Sequence, residues 1–299
     1  MLGAVLVAAF VAYVQFTAIR AGHHHSRPNV APRVLPPVPP RTWNGIAQPL
    51  GITGDWRFVL NDEFNGPRLD TSIWRAGWYG TGVTGSTNVL ENDCYSSENV
   101  SFPGDGSMHL AVTAEPSRCH GRTHPYTGAL VSTNPYDGRR SGGFEFTYGV
   151  LEAKVYVPGA GAKVANWPAF WSDGYHWPYD GEDDVMEGIG GAACFHFHSL
   201  HHAPHGPGGC VVGFRPGWHT FASDWLPGKV SYYYDGHLVG TVTDGVTGKP
   251  MFIIIDNTVW RGRLSLTRPA ALRVDYVRVW QPASEDGTST VPYATSHGQ

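Results

Sequence analysis

The segment Val150-Leu-Glu-Ala-Lys-Val-Tyr-Val157 decides the fold class, because apolar and polar side chains alternate along it. Successive side chains of a β-strand point to opposite faces of the sheet. The apolar residues at every second position from Leu151 to Val157 therefore share one face, and Glu152, Lys154 and Tyr156 occupy the other. The segment predicts a strand with one face against a core.

The same alternation occurs elsewhere in the chain. It is found in Val274–Trp280, and Ser231–Val239 reads as a hairpin because its central Asp-Gly favours a tight primed turn. No long helical stripe accompanies these segments. Many short strands separated by turn residues predict an all-β domain of two packed antiparallel sheets or a barrel.

Length and composition narrow the classes of protein. The 299 residues suffice for one large domain or two small ones. The net charge is −4 and no run of Lys or Arg stands out, which argues against a nucleic-acid partner. The 11 Trp and 14 Tyr in a Gly-rich and Pro-rich chain suggest flat platforms on which the apolar faces of sugar rings can lie.

The chain divides by composition into four parts. Residues 1–22 contain the apolar run Leu2–Ile19 and predict a signal peptide or a membrane anchor. Residues 23–54 are rich in proline and predict an extended linker without a core. The folded domain is expected over 55–281, followed by a flexible tail over 282–299. We expect a secreted protein, although the basic residues follow the apolar run, and an anchor remains the alternative.

The four cysteines fit an oxidising compartment. Three pairings of Cys94, Cys119, Cys194 and Cys210 are open. Pairing of neighbours, Cys94 with Cys119 and Cys194 with Cys210, closes two short loops and is the expected one. No spacing among them matches a CxxC zinc site.

Candidate catalytic residues lie in Trp177-Pro-Tyr-Asp-Gly-Glu-Asp-Asp-Val-Met-Glu187. Glu182 and Asp184 share a face on a regular strand, whereas Glu187 would face the opposite way. One extra residue, a β-bulge around Val185 and Met186, would return Glu187 to the shared face. Like charges at close range raise one another's pKa, so folding alone disfavours such a trio. Glycosidic cleavage requires a carboxylate and a carboxylic acid on either side of the bond.

The spacing alone leaves an exposed acidic strand as an equal alternative. Glu182 and Glu187 are about 13 Å apart along a strand, at about 3.3 Å per residue with the bulge discounted. A retaining pair of carboxyl groups lies about 5–5.5 Å apart. The strand must therefore curve and the two side chains must lean together.

The chain resembles glycoside hydrolase family 16, which includes laminarinases, lichenases and agarases. Segments that look like those of the family occur in its order across nearly the whole domain: Asn61-Asp-Glu-Phe-Asn65, Tyr126–Thr133, Tyr148–Lys154, Trp167-Pro-Ala-Phe-Trp171, Trp218–Trp225 and Val274–Val279. The resemblance implies a β-jelly-roll sandwich with a concave substrate cleft. It places Glu182 on the nucleophile, Asp184 on the assisting acid and Glu187 on the acid/base.

The implied activity is retaining endo-hydrolysis of a β-linked polysaccharide. The bulged spacing is similar to that of laminarinases and favours β-1,3- or mixed-linked β-glucan. A non-catalytic, lectin-like sandwich and a transglycosylase are the alternatives. We expect a monomer whose only partner is the polysaccharide, and catalysis without a cofactor.

The resemblance also implies substrate-binding residues. Trp177 falls on a tryptophan that stacks against sugar, and His198 on a histidine near the acid/base. For Trp167 and Trp171, a position in the core and a position in the cleft are equally expected. Asn88 falls on a sugar-contacting asparagine. Glu63 and Asp275 resemble positions that hold a structural Ca²⁺, for which oxygen ligands are suited, and a surface salt bridge explains them equally well.

Two features depart from the family pattern. Asp183 stands where the family has an apolar residue, and an unpaired charge there is costly, so it needs a partner or a wet environment. His196-Phe-His-Ser-Leu-His-His-Ala-Pro-His205 has five histidines in ten residues. We interpret it as a polar loop at the cleft rim in preference to a transition-metal site, because no ligand geometry is defined.

Overall fold

The computed structural model describes residues 35–138, 142–200, 202, 206–261 and 271–283. This part of the chain consists of strands, turns and one short 3₁₀ helix, Ser97–Asn99. The predicted signal or anchor over 1–22 and nearly all of the predicted tail over 282–299 lie outside the described residues. Among the described residues, no helix is long and apolar enough to span a membrane.

The strands follow one another in chain order. The first are β1 (Thr42–Trp43), β2 (Ile46–Ala47), β3 (Trp56–Asp62), β4 (Arg75–Ala76), β5 (Val83–Thr84), β6 (Asp93–Ser96), β7 (Val100–Ser101) and β8 (Met108–Leu110). Next are β9 (Ser117–Cys119), β10 (Arg122–His124), β11 (Tyr126–Ser132), β12 (Glu145–Phe146), β13 (Gly149–Val157), β14 (Gly159–Ala160), β15 (Lys163–Val164) and β16 (Trp167–Gly174). The last are β17 (Glu182–Glu187), β18 (Cys194–His198), β19 (Gly208–Cys210), β20 (Gly217–Leu226), β21 (Lys229–Tyr234), β22 (His237–Val242), β23 (Met251–Thr258) and β24 (Leu272–Pro282).

The described fold has two large sheets and three two-stranded ones, β1-β2, β10-β9 and β14-β15. A ten-stranded sheet has the order β19-β18-β17-β16-β23-β11-β6-β5, with β12 paired to β23 and β4 to β11. An eight-stranded sheet has the order β22-β21-β20-β13-β24-β8-β7, with β3 paired to β24. The pairings are antiparallel except that of β6 with β11. The predicted two-sheet sandwich is confirmed.

The core lies between the two sheets. The predicted apolar face of β13, Leu151 to Val157, is fully buried there and packs with residues of β24 such as Val277. Phe170 of β16 and Ile253 of β23 come from the ten-stranded sheet. Burying a side chain of this size contributes roughly 1.5–3 kcal/mol. The face of the ten-stranded sheet that is turned away from this core is called the site face below.

The predicted hairpin is formed by β21 and β22. Its turn residues Asp235 and Gly236 both have positive φ, 49° and 81°. A type I′ turn requires positive φ at both central positions, which explains why Asp-Gly is suited to the turn.

The linker prediction over 23–54 is wrong for its described part. Ile52 and Trp56 pack with Val150, Ala222 and Trp280 in a small cluster on the outer face of the eight-stranded sheet. The Leu50 N–H donates to Glu152 at 2.8 Å. Proline-rich composition indicates an extended chain but does not exclude one that lies along a sheet. The folded unit therefore begins before residue 55.

Candidate active site

The strand β17 carries the predicted trio and contains the predicted bulge. Met186 pairs with Phe170 while Asp184 pairs with Trp171, so Val185 is the extra residue. The pairing with β18 shifts at the same place. Val185 and Met186 both join the core. The bulge thus returns Glu187 to the site face with Glu182 and Asp184.

Each acid of the trio has defined neighbours on the site face. The Trp167 indole N–H donates to Glu187 at 2.8 Å, and Nδ1 of His196 lies 3.5 Å from the other Glu187 oxygen. His198 Nε2 lies 3.0 Å from Asp184. The side chains of Asp184 and Glu187 are 6% and 14% exposed. The two acids are therefore shielded from bulk water and still reachable from one side.

The pKa shifts of Glu182 and Asp184 have different causes, and these favour different protonation states. Burial raises the pKa of Asp184 well above its usual value, and the neighbouring Glu182 raises it further. Burial also raises the pKa of Glu182, but His198 and hydrogen bonds from Trp177 and Asp184 lower it, while Glu187 raises it. A protonated Asp184 that donates to Glu182 stabilises Glu182 in its ionised form. Two acids with opposite protonation states are what glycosidic chemistry needs.

His198 connects the trio to the backbone. Burial acts to lower its pKa, but its hydrogen bond to Asp184 and the surrounding carboxylates raise the pKa to about 9. The Gly206 N–H donates to its Nδ1 at 3.1 Å, which requires a lone pair on that nitrogen. This hydrogen bond opposes the raised pKa. A ring bound in this way is neutral, carries its proton on Nε2 and donates it to Asp184.

The predicted aromatic residues surround the trio in different ways. Trp177 is half exposed and hydrogen-bonds Glu182. Trp167 is buried and packs on Trp260 with ring centroids 4.4 Å apart. Trp171 belongs to a buried cluster on the site face and donates from its indole N–H to Asp256 at 2.7 Å. Both tryptophans thus lie on the side of the trio and not between the sheets.

Asn88 is exposed, and its side-chain oxygen accepts the Leu90 N–H at 2.9 Å. This bond orders a turn and leaves the amide NH₂ group free to meet a ligand. A sugar contact by Asn88 stays a prediction.

The partner that Asp183 requires is Ser223. Its hydroxyl donates to Asp183 at 2.7 Å in the buried space between the sheets. Burial raises the pKa of Asp183 to about 6. The departure from the apolar pattern is therefore compensated by a second polar residue on the facing strand β20.

A second acid cluster lies beside the trio and consists of Glu91, Asp93 and Asp256. Burial raises the pKa of Glu91 to about 8 and that of Asp93 to about 7. Glu91 accepts from the Thr87 hydroxyl at 2.6 Å and from the Asn88 N–H at 3.0 Å. These bonds order the turn 87–91, so the cluster has a structural explanation.

The histidine-rich segment divides into strand and loop. Asp184, His196 and His198 have candidate ligand atoms within 4.8 Å of one another, and they are a set that can hold a metal ion. His202 pairs with Asp244 at 3.1 Å. His201 and His205 lie outside the described residues. The histidines at 196 and 198 therefore belong to a strand next to the trio and not to a rim loop, which corrects that part of the interpretation.

The two predicted calcium ligands each face a cation. Glu63 binds Arg278 at 2.7 Å, and Asp275 binds Lys154 at 2.6 Å. These pairs are the surface salt bridges that the alternative interpretation predicted. A carboxylate that is paired with Arg or Lys does not fit a calcium site in this arrangement. The calcium prediction itself remains untested.

The two disulfides are Cys94–Cys119 and Cys194–Cys210, as expected. Cys194 lies opposite Glu187 in the sheet. The second bridge therefore secures β18 to β19 directly beside the trio.

Two residues of the site escaped the sequence-based prediction. Asp173 is buried opposite Glu182, and burial together with Glu182 and Asp184 raises its pKa well above the usual value. His196 faces Glu187. Alternation offered a signal for both, since Asp173 is two residues from Trp171 and His196 two residues from His198.

Several curated proteins are similar in sequence to about three quarters of this chain. No protein-family model matches the chain. The clotting factor G alpha subunit of Tachypleus tridentatus is 28% identical over 254 residues, which cover 77% of this chain and 34% of that protein. A beta-glucanase of Rhodothermus marinus is 27% identical over 264 residues, or 76% of this chain and 85% of that protein. The chain thus spans about a third of the first relative's length.

Solved structures share the fold. The catalytic domain of a laminarinase from Thermotoga petrophila superimposes with a TM-score of 0.65 at 24% identity, over 78% of this chain and all of that one. A mutant of a non-specific endo-β-1,3(4)-glucanase from family GH16, with a cellobiosyl-glucose at its active site, gives 0.63 at 23% identity, over 78% of this chain and 98% of that one. At this identity the likeness shows the fold.

Proposed function

We propose that this chain, a laminarinase-like member of glycoside hydrolase family 16, is an endo-acting β-glucanase that cleaves β-1,3- or mixed-linked glucan with retention of configuration. The observation that carries the proposal is the bulged strand β17, which presents Glu182, Asp184 and Glu187 on one face. The neighbours of these acids are side chains that can donate or release a proton, namely Trp167, His196 and His198.

The neighbours of the acids support distinct catalytic roles. Ionised Glu182 attacks the anomeric carbon while Glu187 transfers a proton to the departing glycosidic oxygen. Water, deprotonated by Glu187, then releases the sugar from the Glu182 ester, and the proton returns to Glu187. The indole N–H of Trp167 orients the Glu187 carboxyl group throughout.

Asp184 is the positioning acid in this proposal. It hydrogen-bonds Glu182 and is in turn held by His198 at 3.0 Å. When Glu182 loses its negative charge in the covalent intermediate, the proton on Asp184 is no longer stabilised by that charge. Asp184 thus makes an interaction that changes along the reaction, which is the kind that raises the rate.

The substrate class and location rest on the relatives and the disulfides. The names of two sequence relatives are those of β-glucanases. Two disulfides suit an oxidising compartment, and they support a secreted protein. Action as a monomer, without a cofactor, is part of the same proposal.

The test measures reducing-sugar release from laminarin, lichenan, agarose, carrageenan and xyloglucan side by side, with Glu182→Gln as the control. We expect hydrolysis of laminarin or lichenan, a loss of at least about 10³-fold in Glu182→Gln, and retained binding of polysaccharide by that variant. Substantial turnover by Glu182→Gln would remove Glu182 as the nucleophile.

The same measurement separates the alternatives. Binding without turnover of any polysaccharide would favour the lectin-like sandwich. Longer products in place of new reducing ends would favour the transglycosylase, in which a sugar hydroxyl replaces water. Proton NMR of the first product tests retention, and an inverted anomer would contradict the covalent intermediate.

A further inference from the structure

Three half-exposed tyrosines lie beside the trio and have no part in the chemistry described so far: Tyr79, Tyr136 and Tyr175. Each is between 45% and 48% exposed. We propose that this tyrosine platform binds a sugar ring of the glucan at some distance from the cleaved bond and thereby makes the enzyme favour long chains. The proposal rests on the proposed function and adds a binding position to it.

The strand β16 connects the platform with the trio. Trp171 pairs with Asp184, and Asp173 pairs with Glu182. Tyr175 directly follows the end of β16 at Gly174, two residues after Asp173. Tyr175 therefore lies at the end of the strand that pairs with the nucleophile, where an adjoining part of the same glucan chain can reach it.

A series of aromatic rings leads from Trp171 to Tyr79. Trp171 stacks on Trp78 with centroids 6.3 Å apart, and Trp78 meets Tyr79 edge-on at 4.7 Å. Burial raises the pKa of Tyr79, a hydrogen bond with Asn134 lowers it, and the charges of Asp173 and Tyr175 raise it further. The same Asn134 accepts the Tyr136 N–H.

The rings of Tyr136 and Tyr175 form a second pair, which is half exposed. Their centroids are 4.4 Å apart with the planes inclined by 39°. Exposed aromatic surface with a few polar groups beside it is the usual lining of a ligand site. The C–H faces of a glucose ring match such a surface, and the neighbouring hydroxyl groups of the tyrosines can meet those of the sugar.

The platform is held in place before a ligand arrives. The Tyr136 hydroxyl donates to Glu145 at 3.0 Å, and the Tyr136 N–H donates to Asn134 at 2.8 Å. Arg75 binds Asp137, the next residue, at 3.3 Å. A side chain that is already ordered loses little entropy on binding, so its contacts appear more fully in the affinity.

The backbone of Tyr79 adds an independent observation. Its φ is 46°, in the left-handed region that bulky residues rarely adopt. Such conformations are found preferentially at binding and catalytic sites, where the surrounding structure maintains them. Here the conformation directs a large ring to the exposed surface beside Asp173.

The experiment compares the double variant Tyr136→Ala/Tyr175→Ala with wild type on β-1,3-linked gluco-oligosaccharides of increasing length and on laminarin. We expect kcat/KM to fall by roughly 3- to 10-fold on the longest substrates, which corresponds to the loss of an aromatic contact. The loss should grow with substrate length. An equal loss at every length, or no loss on laminarin, would overturn the proposal.

Two further variants control for folding and for unspecific stacking. Tyr136→Phe/Tyr175→Phe keeps the rings and should retain most of the preference for long chains. Trp218→Ala removes an aromatic residue that is 42% exposed on the outer face of the eight-stranded sheet. It should leave the length dependence unchanged, and a loss like that of the platform variant would indicate an unspecific effect.

Binding in the Glu182→Gln background separates this proposal from the proposed function. Migration in gels that contain laminarin reports binding without turnover. If wild type hydrolyses laminarin but the platform variant binds it as tightly as its parent, the platform is wrong and the function stands. If no glucan is hydrolysed but the platform variant loses binding, the function fails and the platform stands.

Discussion

Two groups of acids lie side by side on one sheet and differ in how their oxygens are satisfied. In the second cluster, Glu91 accepts from the hydroxyl and the N–H of Thr87 and from the Asn88 N–H. Asp93 accepts from the Thr258 hydroxyl and the Val259 N–H. These carboxyl groups are buried; Glu91 orders the turn 87–91, and Asp93 holds the end of β23. Crowded acids alone therefore do not identify an active site.

The trio is satisfied by other functional side chains and remains open on one side. Glu187 has an indole N–H and a histidine as neighbours, and Asp184 has His198. Its acids interact chiefly with one another and with groups that can donate or release a proton. The trio is therefore distinguished by the side chains that donate to it and by its partial exposure to solvent, in addition to its raised pKa values.

The largest expected effect comes from removing the acid/base from the trio. We expect Glu187→Gln to lower hydrolysis of polysaccharide by about 10²- to 10⁴-fold, because the leaving oxygen is no longer protonated. Aryl glycosides with good leaving groups need less protonation and should lose less, and azide should restore turnover by replacing the activated water. Steady-state rates on both substrate types measure this.

The matched change in the second cluster is Glu91→Gln. It keeps an acceptor oxygen for Thr87 and should leave the rate on laminarin nearly unchanged. A loss in Glu91→Gln as large as that in Glu187→Gln would erase the distinction between the two groups.

An intermediate effect is expected at His198. Removal of its hydrogen bond in His198→Ala should cost about 1.5–3 kcal/mol in the transition state, or roughly 10- to 100-fold in kcat/KM. His198→Gln places an amide N–H where Nε2 stood and should recover most of that loss if the neutral ring is the working form. Equal damage in both variants would instead assign the role to the positive charge.

The smallest expected effect is on stability and concerns the second cluster. Burial raises the pKa of Glu91 to about 8 and that of Asp93 to about 7, against ordinary values of 4.5 and 3.8. Between these limits the folded chain binds more protons than the unfolded one, so stability falls as the pH rises. We expect Tm to decrease steadily from pH 5 to pH 8, by at least about 5 °C.

Thermal unfolding of Glu91→Gln provides the control for this slope. The amide does not ionise, so the decrease in Tm between pH 7 and pH 8 should become smaller. An unchanged slope would show that other buried acids, such as Glu152 with a pKa raised by burial to about 7, carry the effect.

Sequence alone predicted much of this architecture, because alternation and spacing are local properties. The face of β13, the Asp-Gly hairpin and the bulge at Val185 follow from the order of residues, and each is confirmed. The disulfide pairing was selected by loop length and is also found. The need of Asp183 for a partner was predictable, whereas its identity, Ser223, was not.

What escaped prediction depends on contacts between distant segments. Composition suggested a linker where Ile52 packs against Trp56 and the sheet, since proline content does not report whether a surface is there to receive the segment. The approach of His196 to Glu187 depends on the register between β17 and β18. That register is set by tertiary packing and is not encoded in either strand alone.

The segment that packs on the eight-stranded sheet has a consequence for how the domain is presented. His237 contacts the Pro36 carbonyl at 2.8 Å, and Val38 donates to Asp235, so the polypeptide joins the domain at the β21–β22 turn. This turn belongs to the sheet opposite the trio. A tether or fusion partner attached upstream would be joined at the rear of the enzyme, which leaves its working side free to approach an insoluble, surface-bound polymer.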